Sequence, residues 1–372
     1  MEILFFLTHQ PDPRFINQIN YLSKNNSVTL VFFHRKVLKN LNHSIDDKVV
    51  MYDLGELPNA SKPFKRVGVY FTVIGKIKKL FNKNDFNVVI FNNIDSLLLY
   101  LFSKISFSKK KVKAKIAIEV SDLRKFVFGD SLIHKTARFL ERKLYKKYVN
   151  KLIVTSLKYY TYHFENFYSK QYFVLENKML STDVERRKEG DKVENKKTII
   201  GIVGLLLRKK EYIKLFEVYK NDTEVEIHIH GKGEYQSIVE DYADKYENIT
   251  YFGSYNTFKD TRKIYASLDV IYLVYDAQLV SQNNRLALPN KLYECMHYRV
   301  PILCSKNTYL EEYVLEYGIG VGINYKEKDA IKNGVKYLKD NKEKMNEIFE
   351  KIPESSFFGD QDYIKFENFL QN

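Results

Sequence analysis

Residues Lys196–Gly204 read KKTIIGIVG and run directly into LLLRKKEY, Leu205–Tyr212. A run rich in β-branched residues that ends on glycine and meets a basic segment reads as a strand, a tight turn and a helix start. Its position decides the fold, because a complete series of strands already lies upstream. Those strands are expected at Glu2–Leu7, Ser27–Phe33, Asn87–Phe91, Ala114–Glu119 and Lys151–Thr155. A second series starts with KKTIIGIVG and continues at Val225–His230, Ile249–Phe252, Val270–Tyr275 and Val300–Ser305. Helical stretches separate the strands in both series, the pattern of a parallel sheet covered on both faces. The alternation therefore begins twice. The expectation is an α/β chain of two Rossmann-like domains whose doubly wound parallel sheets face each other across a cleft. The boundaries read as 1–180 for the first domain, 181–197 for a charged linker and 198–352 for the second domain. An aromatic-studded helix within 353–372 is expected to pack back on the first domain.

Composition is consistent with that reading. The chain has 372 residues, 45% hydrophobic and 15% aromatic, enough for two buried cores. MEILFFLTH, Met1–His9, lacks the basic flank, apolar length and small-residue cleavage site of a signal peptide. No window approaches the ~20 apolar residues of a membrane span. The two cysteines, Cys295 and Cys304, sit in apolar surroundings and read as core residues of a reduced, cytoplasmic protein. Net charge is +14, and Lys104–Lys147 holds 14 Lys/Arg against four acids, +10 of that total. Such a field suits nucleic acid, anionic lipid or a phosphorylated substrate. Stacking aromatics are not interleaved with the basic clusters and no nucleic-acid motif is present, so no nucleic-acid partner is expected.

In an open α/β sheet, ligands dock outside the carboxyl ends of the strands. Gly204 ends a strand there, and Arg208, Lys209 and Lys210 follow at a helix start, a combination suited to a pyrophosphate or to a solvated turn. Gly231-Lys232-Gly233 closes IHIHGKGEY, where two glycines permit a sharp turn beside a ligand. His228 and His230 share a strand face but lack a third ligand, so no metal site is expected. The densest cluster is LALPNKLYECMHYRVPILCS, Leu286–Ser305. Pro289 is preorganised for a helix start, Asn290 can cap it, and Asn290 and Glu294 share one helix face. A carboxylate there can accept from vicinal hydroxyls and Lys291 can neutralise phosphate. The structural alternative is a cap and a dipole-complementing glutamate.

LPNKLYECMHYRVPILCS resembles the donor-binding segment of GT-B glycosyltransferases, above all glycosyltransferase family 4 (glycosyl transferases group 1) of the bacterial capsule and exopolysaccharide type. IIGIVG with RKK, IHIHGKGE, and KLIVTS with VLENK resemble other landmarks of that family, in its order. The resemblance implies a GT-B fold and transfer of a sugar from a UDP- or GDP-sugar. The acceptor would be a saccharide or lipid-linked saccharide in surface-polysaccharide assembly, with no cofactor beyond the donor, no metal and retention of configuration. It implies that Glu294 binds the ribose diol and that Asn290 and Lys291, after Pro289, meet the donor sugar or phosphates. Arg208 and Lys210 would then contact the pyrophosphate, and Gly231, Lys232 and Gly233 would flank the base. Many members carry a second glutamate where this chain has Leu286, and many separate the basic residues that are contiguous here. Same-fold alternatives are a UDP-sugar 2-epimerase and a polyol-phosphate transferase.

The first half is then the acceptor side. His9, Asp12 and Arg14 follow its first strand, Asn93 and Asp95 its third, and Glu119 and Asp122 its fourth. His9, Asp95, Glu119 and Asp122 are the candidates for general acid–base work, with Asp122 and Glu119 favoured. In Lys65–Phe81, Tyr70, Val73, Ile74, Ile77, Leu80 and Phe81 recur at helical spacing beside Lys76, Lys78 and Lys79. That helix either packs on its own sheet or, with the basic Lys104–Lys147 region, contacts an anionic membrane surface on the cytoplasmic side.

Overall fold

Thr198–Leu205 forms a strand buried from Thr198 to Val203, as its continuous apolar run dictates. In the computed structural model, residues 1–34, 45–58, 63–107, 114–188, 196–276 and 282–372 are described. Residues 108–113 of the basic stretch, 189–195 of the charged segment and 277–281 ahead of Pro289 lie outside them. The chain divides into two units, Met1–Glu176 with Asp362–Asn372, and Asn177–Gln361.

The first unit holds β1 (Glu2–Phe6), β2 (Ser27–His34), β3 (Val50–Glu56), β4 (Val88–Phe91), β5 (Lys115–Val120), β6 (Lys151–Val154) and β7 (Gln171–Val174). They form one parallel sheet in the order β3-β2-β1-β4-β5-β6-β7. The second holds β8 (Thr198–Leu205), β9 (Val225–Lys232), β10 (Ile249–Gly253), β11 (Val270–Leu273), β12 (Ile302–Ser305) and β13 (Gly320–Ile323). Their order is β10-β9-β8-β11-β12-β13, again parallel. Each chain path runs outward from its first strand, crosses back and continues on the other side. The reversal falls between β1 and β4 in one unit and between β8 and β11 in the other, and a crevice opens at the carboxyl ends of such strands.

Three strands were not anticipated. β3 carries Asp53 and Gly55 and exposes Met51 and Tyr52, β7 has four residues, and β13 is GVGI, so none shows a clear apolar run.

The expected Lys65–Phe81 helix forms, as Pro63–Lys83, but its apolar face is not a free surface. Val73, Ile77, Leu80 and Phe81 are buried, and Phe81 meets Tyr100 at 4.7 Å between ring centroids. These four side chains follow the packing alternative, while Val67 and Phe71 of the same helix are exposed. Among the described residues, no helix is long and apolar enough to cross a membrane.

The last helix, Asp360–Gln371, supplies Phe366 and Leu370, both 0% exposed, to the core of the first unit. Phe366 stands 5.9 Å from the ring of Phe173. Phe366→Ala is expected to destabilise the first unit by about 3–5 kcal/mol, the cost of a large buried aromatic cavity. Urea unfolding monitored on that unit checks this, and a loss below about 1 kcal/mol contradicts the helix's place in that core.

Candidate functional site

The turn after β8 is shaped by two backbone approaches. Gly231 has φ +146°, and a Cβ there would lie 1.7 Å from the carbonyl oxygen of Gly204, so only glycine lets the ends of β8 and β9 meet. Gly204 itself has φ +119°, and a Cβ on it would stand 3.3 Å from Cε of Lys291. This places the β8 turn against the start of the Asn290–Tyr298 helix.

At that start the structure corrects one expectation. Pro289 is the N-cap, with φ −75° and ψ 147°, and Asn290 is the first helical residue rather than a capping side chain. Its Oδ1 accepts from Nδ2 of Asn177 at 2.6 Å instead. The residue that works with Glu294 is Lys291, one turn before it. Lys291 Nζ donates to both carboxylate oxygens at 2.9 and 2.7 Å and to the Tyr255 hydroxyl at 2.9 Å. The Tyr265 hydroxyl donates to Glu294 Oε2 at 2.7 Å.

Glu294 is 5% exposed, so its charge is tolerable only because these donors satisfy it. Burial alone would lower the pKa of Lys291; the Glu294 carboxylate and the Tyr255 oxygen outweigh it and hold the ammonium above its ordinary value. Burial, reinforced by Glu294, raises the Tyr265 hydroxyl well above its usual range, keeping it a donor.

Of the contiguous basic residues only Arg208 is anchored. Its guanidinium lies 5.2 Å from the centre of the Tyr275 ring, and its Nη1 and Nη2 donate to the Asn284 amide oxygen at 3.2 Å once that amide is turned to present it. Lys209 and Lys210 are exposed in the first turn of the Lys209–Tyr219 helix, and Lys232 is exposed between its glycines.

Behind the turn a second acidic group was not anticipated. Glu211, 4% exposed, accepts from the backbone N–H of Asp276 at 2.6 Å. Asp276, also 4% exposed, accepts from Lys326 at 2.7 Å and Tyr325 at 3.3 Å. Contacts between residues so far apart in sequence leave no local signal.

In the first unit, the ends of β1 and β4 are tied at the reversal point. Asn92 Oδ1 accepts from the Thr8 N–H at 3.2 Å, and Asn93 Nδ2 donates to Thr8 Oγ1 at 2.7 Å. A cavity of about 200 Å³ opens there, and His9, Asn93, Glu119, Asp122, Arg124 and Glu141 are among its lining residues. The structure thus brings His9, Asn93, Glu119 and Asp122 together and leaves Asp95, Asp12 and Arg14 outside. Asp95 is held by Arg124 at 3.0 Å and Arg66 at 3.9 Å. Asp12 caps the Pro13–Ser23 helix through the Phe15 N–H.

Glu119 is fully buried and faces Arg14 Nη1 at 3.2 Å, while Arg14 Nη2 donates to Ser121 at 2.8 Å. Burial pushes the Glu119 carboxyl up and Arg14 opposes it. Arg14 thereby reaches the cavity only through Glu119 and Ser121, which line it. A pair that the sequence reading missed is His163 and Glu141, both buried, with Nε2 2.7 Å from Oε2. His163 lies on a π-helical turn, Tyr160–Phe164, a feature that recurs at functional sites.

Residues 183–354 match the family described as Glycosyl transferases group 1, and every donor-side candidate from Gly204 to Glu294 falls inside that span. No curated protein sequence compared with the chain matches it. Solved structures similar to it include the lipopolysaccharide outer core galactosyltransferase WaaB in its apo form, at 16% identity and TM-score 0.65, covering 100% of this chain and 99% of that one. Sucrose-phosphate synthase from Thermosynechococcus elongatus is similar at 13% identity and TM-score 0.70, covering 100% and 98%. HepE of Anabaena in complex with UDP and glucose is similar at 13% identity and TM-score 0.69, covering 100% and 99%. The fold is GT-B, two parallel-sheet α/β domains, and the stretch that matches the group 1 glycosyltransferase model lies over the second of them.

The two histidines of β9 pack against Phe252. His230 stacks on Phe252 at 4.4 Å and His228 meets the same ring at 5.2 Å. Burial, with the neighbouring His228, lowers the His230 pKa from 6.5 to about 4. A folded-state value below the unfolded one means the native state binds fewer protons between the two. The His230 contribution to stability is therefore complete above pH 6.5 and is lost as pH falls toward 4. Melting temperatures across that window should rise with pH, and less steeply in His230→Phe; parallel profiles for the two proteins contradict this assignment.

Proposed function

We propose that this protein is a glycosyltransferase that moves a sugar from a UDP- or GDP-sugar to a saccharide or lipid-linked saccharide in bacterial surface-polysaccharide assembly. The observation that carries the proposal is the buried Glu294 carboxylate at the mouth of the Asn290–Tyr298 helix, ringed by Lys291 and Tyr265 and set against the Gly204 turn. In this reading Glu294 accepts from the ribose diol. Lys291, Arg208 and the N-terminus of the Lys209–Tyr219 helix receive the diphosphate, with Lys209 and Lys210 adding charge at the entrance. Gly231, Lys232 and Gly233 border the base, and Pro289 and Asn290 present the helix start to the sugar. The group 1 domain over 183–354 and the structural likeness to WaaB and to HepE bound to UDP and glucose support this choice over other chemistries.

The reaction breaks the bond between the anomeric carbon and the leaving diphosphate oxygen and forms one to an acceptor hydroxyl, whose proton must leave. His9 and Asp122 at the first-unit cavity are the candidates to receive it, with Glu119 and Arg14 holding its floor and Asn93 its wall. Retention of configuration and independence of a metal belong to the same proposal, with cationic side chains and a helix N-terminus stabilising the departing charge. The basic Lys104–Lys147 region would hold the enzyme at the anionic inner face of the membrane.

Arg208 is partly exposed, so Arg208→Ala should fold normally while lowering turnover by about 10²–10³-fold, the usual cost of one group that stabilises developing charge. Turnover of a nucleotide-sugar chosen by thermal-shift screening, with and without EDTA, checks both points. Unchanged turnover in the variant, or complete loss in EDTA, contradicts the proposal.

A further inference from the structure

The Leu132–Tyr148 helix carries Lys135, Arg138, Arg142, Lys143, Lys146 and Lys147 against a single acid, Glu141, which is buried on His163. Leu132 and Ile133 are 79% and 80% exposed, and Phe139 and Leu140 are each 55% exposed. One exposed leucine is ordinary, but four large exposed apolar side chains on one 17-residue helix are not. Lys143 Nζ stands 4.4 Å from the centre of the Phe139 ring, so charge and apolar surface are interleaved.

Alongside this helix runs a groove of about 480 Å³, shared with the Ile94–Phe107 helix and lined by Leu98, Phe126, Ala137, Leu140, Leu144 and Tyr148. Arg124, Lys143 and Lys147 line it as well. Its two acids are already engaged, Asp95 by Arg124 and Arg66, and Glu141 by His163. The groove adjoins the polar cavity of His9 and Asp122, and Ile94, Arg124 and Glu141 line both. An apolar trough, cations on its walls and a polar pocket beside it match a hydrocarbon chain, a phosphate and a sugar.

We propose that this groove binds the hydrocarbon chain of a lipid-linked acceptor, with the lipid phosphate on Arg124, Lys143 and Lys147 and the sugar in the adjoining cavity. The placement of the sugar rests on the function proposed above, whereas the chain and phosphate contacts require neither donor nor catalysis. The acceptor in this proposal is an anionic amphiphile.

The chain contains no tryptophan, so a single Leu140→Trp substitution creates a unique fluorophore in the groove wall, and Ala137→Trp gives a second, independent one. Each full-length variant is titrated with 12-bromododecyl phosphate below its micelle concentration, with 12-bromododecanol and inorganic phosphate as separate arms. Saturable quenching by the bromoalkyl phosphate is expected. It should weaken by about tenfold or more with the alcohol and with Lys143→Glu/Lys147→Glu added, since both remove a charge-assisted contact. Absence of saturable quenching in both reporters overturns the proposal, as does quenching confined to bilayers of brominated phosphatidylglycerol, which marks a membrane-facing surface instead. Quenching that the charge-reversed variant leaves unchanged also overturns it. Sugar transfer to a chain-free acceptor, measured separately, reports on the function whatever the groove does.

Discussion

A carboxylate with almost no exposure to water fixes much of the second unit. An unpaired buried charge of this kind would cost several kcal/mol, so Glu294 obliges Lys291 to fold inward and Tyr265 to aim its hydroxyl at it. Lys291 in turn lies over the β8 turn, where a side chain on Gly204 would crowd it. The tight approach of Gly231 to Gly204 follows from the same geometry, since it brings the β9 turn level with the β8 turn. One ion pair thereby couples a helix start, two strand ends and two tyrosines from another part of the chain. Such a pair contributes little net stability compared with an apolar replacement of similar volume. In the proposed reading a diphosphate gives the ammonium a new partner while a diol occupies the carboxylate.

The first unit solves a similar problem differently. Glu119, fully buried, is offset by Arg14, and Arg14 is pinned through Ser121 and against the Phe15 ring at 4.7 Å. The asparagine–threonine ties between β1 and β4 hold the cavity mouth at the point where the strand order reverses. His9 and Asp122 line the same cavity as Asn92, Asn93 and Glu119.

Most strands were legible because long runs such as SVTLVFF and TIIGIV have one reading in an α/β chain. Their ends differ from expectation by only a few residues. The missed strands β3, β7 and β13 contain glycine, an acid or too few residues, and are made strands by neighbours in the sheet rather than by their own composition. At the site, Glu294 and Lys291 were legible from spacing, and Asn290 was misjudged because a proline at the N-cap moves the first helical residue onto it. Tyr255, Tyr265, Glu211 and Asp276 reach the site from distant segments, so no window of sequence contains them together. The amphipathic pattern of Lys65–Phe81 correctly marked a helix but does not reveal what its apolar face meets, and that face meets the core. In Leu132–Tyr148 the basic character was legible, whereas the exposure of Leu132, Ile133, Phe139 and Leu140 was not.

The central claim is that the Glu294 carboxylate grips a nucleotide diol, and a double-mutant cycle by calorimetry tests it most directly. UDP or GDP, whichever binds, is compared with its 2′,3′-dideoxy counterpart in the wild-type protein and in Glu294→Gln. The account predicts that removing the diol weakens binding to wild type by about tenfold or more, and has little further effect in the variant, giving a coupling of about 1 kcal/mol or greater. Equal losses in both proteins, with no coupling between position 294 and the diol, would contradict it.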